Sequence, residues 1–214
     1  MTDILLTDNL FPTLLYVIDK PEYLQSAKDV SEKYTKLAME EIKEVNDLYP
    51  VVMSPNFFHD ESILEFSKFI SQKAWEILKS QGYAMDLYST IFYEMWCQNH
   101  YKYSSMEQHS HNGGSQIVGF YFLEVPENSS RVVFHDPKPA KVQVGFAQEN
   151  ESIATASSNM INYAPKEGQL MFTNAWLPHS FTKHNNEKPF KFIHFTLGLA
   201  MNTQENKIPD VEVI

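Results

Sequence analysis

One cysteine, Cys97, is all the thiol chemistry available to this 214-residue chain. A lone cysteine excludes an intrachain disulfide and a cysteine-built zinc cluster, so a reducing, cytoplasmic setting is the expectation. Positive charge is also scarce: 17 Lys and Arg stand against 27 Asp and Glu, a formal net charge of -10. Binding to phosphate backbones relies on cations that displace counterions, so nucleic acid is not an expected partner. Long apolar runs are missing too. The stretch Ile117 to Val125 is among the longest, far short of the roughly 20 residues that span a bilayer, and no membrane association is expected. The opening residues lack the basic stretch and apolar run of an export signal. No internal repeat or low-complexity segment is found.

What is present is aromatic: 15 Phe and 11 Tyr, ample for a buried core and an aromatic-lined pocket. The length suits one domain over 1–214, divided into an N-terminal strand and helices (1–83), a β core (84–200) and a C-terminal tail (201–214). Residues 4–18 read as an extended edge strand broken by Asp8-Asn9 and Pro12. Apolar residues at Leu24, Ala27, Val30, Tyr34, Leu37, Ala38, Ile42 and Val45 recur at helical spacing and predict a helix over about 21–46. Ser62 and Glu65 have capping-box spacing ahead of a second amphipathic helix, with Gly82 as its stop.

From residue 84 the pattern changes to short aromatic and β-branched runs separated by Asn, Gly, Pro and Ser clusters. Strands are expected near 86–99, 105–111, 115–125, 130–135, 152–163, 168–173, 178–184 and 190–200. The polar segment 148–159 reads as a loop or short edge hairpin. Eight strands after two helices give an α+β fold, a double-stranded β-helix or jelly-roll barrel with helices packed outside.

Seven of the eight histidines fall in this half. His109-Ser-His111 is the informative pair, because alternate residues of a strand project to one face and two imidazoles there can share an ion. Such a pair is equally at home on a solvated strand face, so a third ligand is needed. His179 is the best candidate, following a turn glycine, Gly168, and an apolar strand. Two neighbouring ligands and one distant one would leave coordination positions open for catalysis.

The run from His109 through Asn112-Gly-Gly-Ser-Gln-Ile-Val-Gly-Phe-Tyr-Phe-Leu-Glu-Val-Pro126, followed by Arg131-Val-Val-Phe-His-Asp-Pro137 and Pro165-Lys-Glu-Gly-Gln-Leu-Met-Phe172, resembles the 2-oxoglutarate/iron(II) oxygenase family of bacteria and phages. Trp176-Leu-Pro-His-Ser-Phe181 and Lys191-Phe-Ile-His-Phe-Thr-Leu197 continue the similarity, which covers roughly 96–197, and Phe11-Pro12 is similar to the family's usual beginning. The resemblance implies Fe(II) and 2-oxoglutarate as cofactors, O2 as co-substrate, and hydroxylation with release of succinate and CO2. It implies a basic residue on the last strand for the far carboxylate of 2-oxoglutarate; by position this is Lys191, with Lys188 competing. The superfamily usually has a carboxylate two residues after the first histidine, where this chain has His111, so either this is a three-histidine site or Asp136 or water completes the shell. Asp136 also reads as the turn residue of His-Asp-Pro. Phe122 stands where related hydroxylases often carry a cofactor-holding tyrosine, and Gln98 is the candidate helper. Tyr101, Tyr103 and Trp176 are candidates for the pocket mouth. Two other readings use the same residues: a three-histidine cupin-type dioxygenase without 2-oxoglutarate, and a non-catalytic binding barrel.

Overall fold

Alternation along the strands sorts the side chains into two cores, one under the helices and one inside the barrel. The structure, a computed structural model, describes residues 4–142 and 144–202. A six-stranded sheet has the order β1 (Leu15–Asp19), β8 (Gln169–Asn174), β5 (Ile117–Glu124), β10 (Phe190–Met201), β3 (Tyr88–His100) and β2 (Val51–Met53). It faces a four-stranded sheet ordered β4 (Met106–His109), β9 (His179–Phe181), β6 (Val132–His135) and β7 (Met160–Tyr163). All the pairings within both sheets are antiparallel. This is the expected α+β double-stranded β-helix.

Helices α1 (Leu24–Ile42) and α2 (Leu64–Ser80) cover the outer face of the larger sheet. There Met95, Tyr121, Phe172, Ile193 and Phe195 pack with Phe66 and Ile70 of α2 and Ala27 of α1. The inner core takes the alternate residues: Val118, Phe120, Phe122, Met171, Phe190 and Phe192, joined by Phe134 and Phe181 from the smaller sheet. The two sets are the two faces of the same strands.

Some boundaries depart from expectation. Only 15–19 of the N-terminal stretch forms a strand; Ile4, Leu5, Leu6, Leu10 and Phe11 are exposed. β2 pairs with the end of β3 and was not expected, because three residues are too short for alternation to register. The second helix is not started by a Ser62 cap. Asp60 accepts from the backbone N–H and the hydroxyl of Ser62, ahead of a 3-10 turn at Glu61–Ile63, and is itself clamped by Lys33 at 2.6 Å. Of 152–163 only Met160–Tyr163 is strand. A four-residue helix, α3 (Pro139–Val142), lies in the connection before it. Of the expected tail, 203–214 lies outside the described residues.

Candidate metal centre

β4 and β9 are neighbours in the smaller sheet, and their register sets His109 directly opposite His179. The rings come within 4.5 Å, centroid to centroid. His111 lies just past the end of β4, tied back by its backbone N–H to the carbonyl of Ala175 at 2.9 Å. One ring nitrogen from each of His109, His111 and His179 falls within 4.8 Å of the others. Two residues near in sequence and a third, 68 positions beyond His111, thus converge, with His111 past the end of the strand and not on it.

Backbone carbonyls fix two of the three tautomers. Nδ1–H of His109 donates to Glu107 at 2.8 Å, and Nδ1–H of His179 donates to Leu177 at 3.0 Å. Each ring therefore turns a bare Nε2 into the cluster. Nε2 of His179 is fully buried and has no partner, a costly arrangement that a ligand relieves. Burial pushes the His179 imidazole down to about 3, with His109 and His111 adding to the effect against the Leu177 hydrogen bond. Burial, with His109 nearby, takes His111 to about 4. Both rings are neutral at pH 7, the state in which imidazole binds a metal. The donor set fits a first-row divalent ion such as iron(II).

A fourth imidazole, His194 of β10, stands behind His111, Nε2 to Nε2 at 3.4 Å. It is 2% exposed and stacks on Trp96 at 4.8 Å with 23° between the planes. Sequence reasoning gave it no role, because nothing in the apolar run of β10 marks the face on which it falls. At the mouth lie Glu94, whose carboxyl burial pushes upward, and Thr196, 3.5 Å away. They line a cleft of 400 Å³ with His111 and Asn112. A second cleft of 610 Å³ at the same end runs between residues 7–15 and the β6–β7 connection, and reaches Phe134 and Leu177 beside His179.

The other expected site residues divide. Gln98 does face the barrel interior, 3% exposed, its Oε1 accepting from Nε2 of His100 at 3.1 Å. Lys191 is not brought to the site: it shares the outer face of β10 with Ile193 and Phe195, its Nζ pairs with Glu124 at 2.9 Å, and it borders a cavity lined by α1. Lys188 is exposed. Among the described residues no lysine or arginine is buried. The inward positions near the start of β10 are instead Phe190 and Phe192, which pack with Phe122. Asp136 is taken up in its turn, bonded to Lys141 and the backbone N–H of Lys138. Trp176 is half exposed beside the site, whereas Tyr101 and Tyr103 lie past the far end of β3, where His100 pairs with Phe190.

Residues 94–193 match the family model described as "Putative 2OG-Fe(II) oxygenase". That stretch, 100 of the 214 residues, is similar to 2-oxoglutarate/iron(II) oxygenases. Enzymes of that description take 2-oxoglutarate and O2 as co-substrates and iron as the metal. Solved structures share the fold at low identity. AviO1 from Streptomyces viridochromogenes superposes with a TM-score of 0.61 at 11% identity, over 87% of this chain and 90% of that one. A Pseudomonas putida prolyl-4-hydroxylase gives 0.56 at 9%, over 87% and 93%. HygX from Streptomyces hygroscopicus, solved with nickel and 2-oxoglutarate bound, gives 0.53 at 10%, over 87% and 83%. A search of curated protein sequences returned no match.

Proposed function

We propose that His109, His111 and His179 hold the iron of this oxygenase, and that the enzyme hydroxylates a substrate entering beside Leu177 and Phe134. The observation that carries the ligand set is the buried, unpartnered Nε2 of His179 facing two further imidazoles. When bound, iron(II) with 2-oxoglutarate supplies the oxidising power, coupled to release of succinate and CO2. The chain's own residues orient and exclude. Glu107 and Leu177 hold two imidazoles by their carbonyls. Phe120 packs against His179 at 5.4 Å and keeps water from its inner side.

For the far carboxylate of 2-oxoglutarate, Gln98 is the proposed partner in place of a cation. Its Oε1 is engaged by His100, which aims the amide hydrogens elsewhere in the barrel. An amide holds a carboxylate less strongly than a guanidinium or ammonium does, so weak retention of 2-oxoglutarate is expected. The supporting test is succinate formation by the Fe(II)-loaded protein given 2-oxoglutarate, with His179→Ala silent. Oxygen uptake that needs a different organic substrate and ignores 2-oxoglutarate would instead select a cupin-type three-histidine dioxygenase.

A further inference from the structure

We infer that His111 binds the metal through Nδ1, unlike His109 and His179, and that His194 is the positioning residue that enforces this. The inference rests on the three-histidine reading above. A neutral imidazole that gives one nitrogen to a metal keeps its proton on the other, and that proton is normally held by an outer partner. For His109 and His179 the partners are carbonyls on Nδ1, so Nε2 is the ligand atom. For His111 the contact is on Nε2, from Nε2 of His194. With Nε2–H directed at His194, Nδ1 is the nitrogen left for the metal.

Two further observations agree. Nδ1 is bonded to Cγ, as a carboxylate oxygen of aspartate is, so it reaches the place that an aspartate two residues after the first histidine would fill. His194 is also poorly free to move aside: it is 2% exposed, stacked on Trp96 and packed at 5.8 Å from Phe120. The convergent ligand group comprises His109, His111 and His179 and does not extend to His194, which leaves His194 the outer role. His194 thus meets His111 as the acceptor of that proton.

The test is nitrogen NMR of protein labelled with ¹⁵N-histidine and loaded with Zn(II), a diamagnetic probe for imidazole ligation. The expected spectrum has His109 and His179 metallated at Nε2 and protonated at Nδ1, and His111 the reverse. Coordination of His111 through Nε2, or coordination of His194 itself, overturns the inference while leaving a histidine metal centre. A zinc addition that moves none of the three ligand histidines overturns the three-histidine reading as well. In parallel, His194→Phe should lower Zn(II) affinity by about 10–100-fold, and His194→Gln, whose amide oxygen accepts the same proton, should restore most of it. Equal affinity in His194→Phe and the native protein overturns the positioning role.

Discussion

His109 and His179 are paired residues of adjacent antiparallel strands, their imidazoles 4.5 Å apart. Because the sheet itself fixes this separation, the third ligand can vary more freely than these two. His179→Ala is expected to lose iron binding and succinate formation together, with little change in circular dichroism. Metal analysis after desalting checks it, and a fully loaded variant would refute the assignment.

His111→Asp should still bind iron, since aspartate offers an oxygen at the depth of Nδ1, whereas His111→Ala should lose at least about tenfold in affinity. Titration with Fe(II) under anaerobic conditions separates the two. The aspartate variant forfeits its contact with His194, so its retained binding would show that the metal, and not the His194 contact, is the main demand on this position.

Lys191→Ala should leave the 2-oxoglutarate requirement unchanged and cost no more than about 1 kcal/mol, as its half-exposed pair with Glu124 is screened by water. Gln98→Glu should raise that requirement by about tenfold or more, because a carboxylate would then face a carboxylate. The reverse order of effects would return the role to the lysine.

Stability should fall with acid. Burial first, and the nearby His184 second, push His100 down to about 3, while the unfolded chain takes up its proton near the ordinary histidine value. The unfolded state therefore binds more protons between these limits, and folding loses free energy as pH drops through about 6.5. At pH 5 this single group costs about 2 kcal/mol relative to neutral pH. Thermal melts of metal-free protein at pH 7 and 5 should show the loss, and His100→Phe should show a smaller one.

Gly119→Ala should be strongly destabilising even though its backbone is ordinary strand. A Cβ there would lie 2.2 Å from the Phe195 ring and 2.5 Å from the carbonyl of Met171, so backbone as well as side chain has to shift, at a cost of about 1–3 kcal/mol or more. Denaturant titration measures it.

The histidine triad was legible from the close spacing of His109 and His111 in a short polar segment, although His111 falls just past β4, where alternation no longer sets its direction. β10 offers no such mark. Both of its faces are buried, so Phe190 to Leu199 reads as nearly continuous apolar sequence in which the parity of Lys191 and His194 is hidden. That concealed parity explains both the misplaced lysine and the overlooked histidine. The helix start failed for a different reason. Asp60 and Ser62 are both good caps, and tertiary contact with Lys33 decided for Asp60.

The same parity divides β10 into two independently adjustable sets of positions. Ile193, Phe195 and Leu197 answer to the helices, whereas Phe190, Phe192, His194 and Thr196 answer to the barrel interior. One strand thus carries helix docking on one face and the packing around the metal centre on the other.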